Sequence, residues 1–336
     1  MTVTAPDTDA VVAAKRRSSF SPLAILERYG VIVAWLVVIV VFSILRPATF
    51  PTAGTVSLIF GTQTVILVAT LGLMLTLAVG EIDLSVGSVV GFGASLMVVL
   101  NGVAGVDVWL SFLLTIAACA LFGLCNAVLT VIVGVQSIIV TLASGTLLAG
   151  ITLAVTGSKV VTGLDVAVVQ LISTRWFGIP IPFYLGIVLT VVLWFVLQHT
   201  PLGRRMAFVN SNRVVARLAG IRVDRIRMGG LIATAVFAGL AGVILAGQNG
   251  AANPQAGASY LLPAFAGAFL GSTTIRPGTF NAVGTWVAVY FLITGITGLV
   301  YLGFAGWPEQ VFYGASLLVA VSLSVLARRR RREGIT

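Results

Sequence analysis

Charged side chains are spaced far apart along this chain, and the stretches between them are apolar. Windows free of Asp, Glu, Lys and Arg run over 31–45, 47–80, 84–106, 108–158, 176–203, 228–275, 277–308 and 310–327. A charge near a bilayer centre is costly, and about 20 apolar residues are needed to cross one, so each window reads as membrane-spanning helix. Two windows, 108–158 and 228–275, are too long for one helix, and each carries a turn signal. The first breaks around Gly134-Val135-Gln136-Ser137, the second around Gln248-Asn249-Gly250 through Asn253-Pro254. The eight windows therefore predict ten spans: 30–45, 56–79, 85–101, 108–132, 138–156, 181–199, 229–247, 261–273, 279–299 and 309–327.

Composition agrees with that pattern. Of 336 residues, 58% are hydrophobic and 9% charged, and the mean hydropathy is +1.09. A soluble domain carries about 25% charged residues, so there is no aqueous surface of ordinary size here. Disorder is excluded by the hydrophobicity, a disulfide-stapled module by the two cysteines, and collagen by 37 glycines without a three-residue period. The fold class is an all-α polytopic membrane protein.

Arginine and lysine set the orientation, because cytoplasmic loops hold their excess. With the N-terminus inside, Lys15, Arg16, Arg17, Arg28, the seven arginines of 200–228, Arg276 and Arg328 to Arg332 are cytoplasmic, which is 17 of 20 basic residues. Only Arg46, Lys159 and Arg175 fall outside, and an even span number returns the C-terminus to the cytoplasm. The organisation is a cytoplasmic tail over 1–29, one transmembrane domain over 30–327 with a cytoplasmic loop at 200–228, and a basic tail over 328–336. The net charge of +10 lies beside apolar spans, where anionic lipid is the partner and nucleic acid is not. The first apolar stretch has no small-x-small cleavage site after it, and it is expected to be retained.

Several chemistries are missing. No G-x-x-x-x-G-K-[ST] run occurs, so any ATPase must be another chain. His199 is the only histidine, at the cytoplasmic end of span six, and reads as an interfacial polar tip. Cys119 and Cys125 lie six apart on one helix, a spacing that suits packing and no metal. Ion-coupled carriers keep acids in mid-membrane, whereas Glu81, Asp83, Asp107, Asp165, Asp224 and Glu309 all fall at loops or span ends.

Two regions carry more information. In the 200–228 loop, Thr200-Pro201 suits a helix start, Asn212 a helix N-cap and Gly220 a C-cap, predicting a short helix below the bilayer. Seven arginines and two caps exceed what topology requires, which favours a docking surface. Between spans two and three, Gly80-Glu81-Ile82-Asp83-Leu84-Ser85-Val86-Gly87-Ser88 offers Asp83 as an acceptor for the first free N–H groups of span three. Gly87 and Gly91 add a face for close helix contact.

The loop residues Gly203-Arg204, Asn212, Val215-Ala216-Arg217 and Gly220-Ile221 resemble the coupling loop of permease subunits of binding-protein-dependent ABC sugar importers of the ribose/xylose/galactose type, within the branched-chain amino acid/monosaccharide permease superfamily. The 80–88 stretch resembles the same family's signature, as do Asn253-Pro254-Gln255-Ala256-Gly257 to Tyr260, Phe269 to Thr274, and Pro277-Gly278-Thr279-Phe280 before Gly284-Thr285. Val214 and Leu261-Leu262-Pro263 stand where the family often has acids. The resemblance covers roughly 30–330 and implies a ten-span fold similar to the vitamin B12 importer permease, with spans two to five and seven to ten as inverted halves. It further implies a second permease copy, a cytoplasmic ABC ATPase that binds ATP and Mg, an extracytoplasmic sugar-binding protein, and a bacterial inner-membrane location.

On this reading Gly203, Arg204, Asn212, Ala216, Arg217 and Gly220 form the ATPase-coupling set. Glu81, Asp83 and Ser85 serve as helix cap or gate, and Gln63, Thr64 and Asn126 are candidates for the pore lining or for interhelical hydrogen bonds. The expected function is non-catalytic translocation of a monosaccharide, with no cofactor in this chain. The alternatives are an ATP-independent carrier or channel, or the same architecture serving a polyol, autoinducer-2 or a nucleoside.

Overall fold

The apolar windows fold as helices throughout. The structure, a computed structural model, describes residues 22–304 and 306–333, with side chains over 28–304 and 306–322. In chain order the helices are α1 (Pro22–Leu45), α2 (Ala53–Thr62), α3 (Thr64–Ala78), α4 (Val86–Val98), α5 (Val108–Ala127), α6 (Ser137–Val155), α7 (Val166–Ser173), α8 (Ile181–His199), α9 (Pro201–Ser211), α10 (Arg213–Leu218), α11 (Val223–Asn249), α12 (Ala258–Gly271), α13 (Ala282–Tyr301) and α14 (Trp307–Glu333). Among the described residues eight candidate spans are long and apolar enough to cross a membrane. The other two expected spans correspond to the shorter apolar α12 and to α14, whose end holds Arg328 to Arg332. Lys15, Arg16 and Arg17 lie outside the described residues.

The helices form an inner group wrapped by an outer one. The most apolar window of 53–78 is 78% buried and that of 223–249 is 61% buried, against 22% over 108–132 and 6% in the first span. Accordingly α3, α4, α11, α12 and α13 make the interior, where Leu67, Leu71, Leu73, Met97, Leu231 and Leu292 are nearly inaccessible. Leu36, Leu113, Leu121, Leu147, Val188 and Leu318 stay exposed on the outer helices, the side a bilayer would cover.

Lipid gives helices no hydrophobic reason to associate, so contact depends on close packing. Gly87 and Gly91 of α4 lie against Gly257, and a Cβ on Gly87 would stand 2.6 Å from the Gly257 carbonyl oxygen. On α11, a Cβ on Gly242 would come within 2.4 Å of the Val90 carbonyl oxygen. Polar contacts lock the same group: Thr76 Oγ1 donates to the Gly230 carbonyl (2.9 Å), and Thr234 Oγ1 donates to the Gly72 carbonyl (2.7 Å).

Four features depart from the expected layout. Span two is interrupted at Gln63, which ends α2 and precedes α3. The freed Gly61 carbonyl accepts from Gln248 Nε2 (3.2 Å), at the far end of α11. Spans three and four finish in π-helical turns at Val99–Val103 and Val128–Ile132, longer than expected for the first. Span seven begins at Val223, not 229, so Asp224, Arg225 and Arg227 belong to its first turns. The 156–180 connection holds α7, a strand at Val161–Thr162 paired antiparallel with Ala251–Ala252, and a hairpin pairing Arg175–Trp176 with Ile179–Pro180.

Candidate functional site

The 200–222 segment builds a small platform at the end of span six. Pro201 opens α9 with a φ suited to a first helical residue, and the Thr200 hydroxyl turns back to the Val196 carbonyl (2.6 Å). The reversal is tight: a Cβ on Gly203 would meet the Leu197 carbonyl oxygen at 2.0 Å, so only glycine fits. Asn212 then caps α10, its Oδ1 accepting from Val214 N (3.0 Å) and Val215 N (3.1 Å). Gly220, at φ +77, closes it as Gly220 N reaches the Arg217 carbonyl and Ile221 N the Ala216 carbonyl, each at 3.0 Å.

These placements assign the expected coupling residues different duties. Ala216 is fully buried and packs with Val209 and Val223, with Ile221 and Ile226 alongside. Gly203, Asn212, Ala216 and Gly220 therefore shape the platform from within its turns, caps and core. The side chains facing outward include Arg204, Arg205 and Arg217 with Val214, Val215 and Leu218, the last 84% exposed. Val214 and Leu218 lie four apart on one helical face. The sequence pattern points to the caps, whereas the apolar face between them spans too few residues for a period to register.

Glu81 joins this platform to the transmembrane bundle. Its carboxylate is 5% exposed, and Oε1 accepts from Arg213 Nη2 (2.8 Å) and Arg227 Nε (2.6 Å). Arg213 Nη2 also donates to the Gly80 carbonyl (2.8 Å). A second pair, Arg217 with Asp224 at 3.3 Å, is exposed on both sides, so solvent screens it. Beside these groups lies a cleft of about 550 Å³, bounded by Ala78, Met206, Asn210, Arg276 and Phe280.

Two residues on, Asp83 is fully buried and Oδ1 accepts from both the backbone N–H and the hydroxyl of Ser85. The N-cap position of α4 is Ser85 itself, which makes no side-chain cap bond. Asp83 thus accepts from the N–H of the first residue of the expected span 85–101, closing a turn at the entry of α4. Burial raises the Asp83 pKa, against the lowering effect of the two Ser85 hydrogen bonds. Asn126, on α5, donates Nδ2 to Ser85 Oγ (3.2 Å), while its buried Oδ1 lacks a partner. From α6, Ser137 and Thr141 accept from the Ile82 and Leu84 amides at 3.3 and 2.9 Å.

The expected pore lining is not gathered in one place. Thr64 is fully buried, bonded weakly to the Gly61 carbonyl (3.4 Å), and Asn126 belongs to the Ser85 contact. Gln63 sits half-buried at the span-two break with Nε2 on Thr62 Oγ1 (3.0 Å). Asn126 of α5 thus bonds to the residue that precedes α4. Among the described residues no group of three His, Cys, Asp or Glu could hold a metal ion. His199 ends α8 between Trp194 and Phe195, and of the two free thiols Cys119 is buried and Cys125 exposed.

Comparison with known proteins places the chain in a family. The ribose import permease protein of Bacillus subtilis is 30% identical over 89% of this chain and 93% of its own length. The D-allose transport system permease protein of Escherichia coli is 27% identical over 93% of this chain and 96% of its own. An autoinducer 2 import system permease protein of Photorhabdus laumondii is 31% identical over 80% of each. No solved structure matches. With residues 55–321 matching the family described as branched-chain amino acid transport system / permease component, this multi-pass chain belongs to that family of transport permeases.

Proposed function

We propose that this chain is the translocation subunit of an ATP-binding-cassette importer for a monosaccharide, a pentose or hexose delivered by an extracytoplasmic binding protein. Two permease copies would enclose the path within membrane lipid. A cytoplasmic ATPase would bind ATP and Mg, and both chain termini would face the cytoplasm. The observation that carries this reading is the platform itself. A capped six-residue helix displays Val214, Val215 and Leu218 among arginines, and its first residue, Arg213, is held by the buried carboxylate of Glu81, which follows span two. Exposed apolar residues ringed by charge suit a protein partner, and a self-sufficient carrier has no use for them. Monosaccharide cargo is favoured because relatives named for ribose and allose align over nearly the whole chain. The relative named for autoinducer 2 keeps that cargo as the second reading.

ATP-driven closure of the ATPases would move the two platforms, and the bundle would change access only as far as the partners bind its two states differently. An ion-driven carrier fits less well, since Asp107 and Asp165 cap helix starts and Glu81 is held by arginines. Reconstitution tests the proposal. Alone in liposomes, the chain should neither hydrolyse ATP nor concentrate ribose or allose; its ATPase and binding protein should confer ATP-dependent uptake. Uphill accumulation by the permease alone under a proton or sodium gradient would overturn it.

A further inference from the structure

We propose that Glu81 is the positioning residue through which movement of the docking helix α10 reaches span two. The idea rests on the docking reading above and adds the route by which displacement leaves the platform.

The platform is fastened in two ways. One is apolar: Val209, Ala216 and Val223 pack together, joining α9, α10 and the start of α11. That contact ends in the first turn of α11, while Met206 of α9 packs separately against the end of α3 beside Leu75 and Val79. The other is the Glu81 carboxylate, which brings Arg213, the first residue of α10, and Arg227, in the first turns of α11, onto one oxygen. Residues 132 and 146 positions away from Glu81 are thereby linked to it. The Arg217–Asp224 pair, by contrast, joins α10 to the first turn of α11 and is exposed on both sides.

Glu81 is well placed to pass a load onward. Its backbone N–H donates to the Thr76 carbonyl in the last turn of α3 (3.1 Å). Thr76 in turn holds the Gly230 carbonyl of α11 (2.9 Å) and touches Thr234. On the other side, Ile82 and Leu84 hang from Ser137 and Thr141 of α6. A pull on the carboxylate therefore arrives at the cytoplasmic end of span two and at α6. A buried carboxylate held by two guanidiniums is costly to separate, because breaking it strands charge away from water, so the link moves as a unit. Gly80 supports it at φ +81, where a Cβ would come within 2.9 Å of Asn210 Oδ1 on α9.

The test uses the assembled transporter, with Cys119 and Cys125 replaced by Ala and a single reporter, Ala78→Cys, at the end of α3 beside the cytoplasmic cleft. Labelling by a membrane-impermeant maleimide is followed in inside-out vesicles with and without ATP plus vanadate. With Glu81 intact, nucleotide should change the labelling rate at position 78 by about tenfold, inside the roughly 5–150-fold range of coupling between sites. Glu81→Gln should abolish that response while the ATPase still co-purifies and still hydrolyses ATP. Arg213→Gln, which cuts the same contact from a side chain 42% exposed, should do the same and remains informative should Glu81→Gln fail to insert. The double variant should be no worse than either single one. An unchanged nucleotide response in Arg213→Gln or Glu81→Gln overturns the proposal, as does an absent response with Glu81 intact and ATPase bound. Failure of the unaltered chain to retain the ATPase would instead sink the docking reading.

Discussion

Glu81 and Asp83 are two residues apart, both out of water, and they meet that condition in different ways. Two guanidiniums neutralise Glu81. Asp83 has only neutral donors from Ser85, and burial holds its carboxyl above the usual carboxylate range. A raised folded-state pKa means that the folded chain binds that proton more tightly than the unfolded one. Its stabilising contribution is therefore complete below the unfolded value of about 4 and is lost as pH rises through the raised folded value. Asp83→Asn keeps an acceptor for Ser85 and removes the charge. Its melting temperature in detergent should equal or exceed that of the parent at pH 7–8, the difference shrinking toward pH 4. Asp83→Leu strands the Ser85 N–H and should destabilise by about 1–3 kcal/mol, read as less membrane-inserted protein. A Leu variant that inserts fully yet does not transport would assign Asp83 to gating. The motif placed both acids at the right turn, but Glu81's partners were illegible because they come from 132 and 146 residues downstream.

At the scale of elements, caps were readable and faces were not. Asn212 and Gly220 carry local backbone requirements, and both hold the positions their chemistry suggests. The interruption of span two had a fainter signal, Gly61 followed by the polar triplet Thr62-Gln63-Thr64, inside a window otherwise read as one continuous apolar span. Strands of two residues at 161–162 and 175–176 are too short for any period to register. For α10, burial decides which positions can report docking. Cysteines replacing Val214 and Leu218, 68% and 84% exposed, should label rapidly in the lone permease and several-fold more slowly once the ATPase is bound. Ala216→Cys should resist labelling in both states, as that site is buried. Equal labelling of positions 214 and 218 with and without the ATPase would remove α10 from the interface.

Across the whole molecule, apolar length and arginine placement yielded the span pattern, and neither carried the arrangement of inner and outer helices. That arrangement depends on which faces meet, as where Gly87 meets Gly257 far along the chain. Orientation has its own test, because the two poles of the fold offer exposed reporters. Phe177, fully exposed at the tip of the 175–180 hairpin, should as Phe177→Cys react with an impermeant reagent from outside intact cells. Leu218→Cys should react only after the membrane is opened. The reverse result would invert the topology.

The glycine contacts between α4, α11 and α12 have an entropic side. Seating a long side chain in an interface freezes rotamers at up to about 2 kcal/mol each, whereas glycine has none to freeze. Where Gly87 lies on Gly257 and Gly242 on Val90, backbone meets backbone with little to gain by rearranging. Such joints lack the alternative rotamers that let neighbouring helices slide past one another in small steps. The inner helices are thereby disposed to turn together as one stiff body, leaving adjustment to the Leu- and Val-covered outer helices, whose side chains can re-sort among acyl chains.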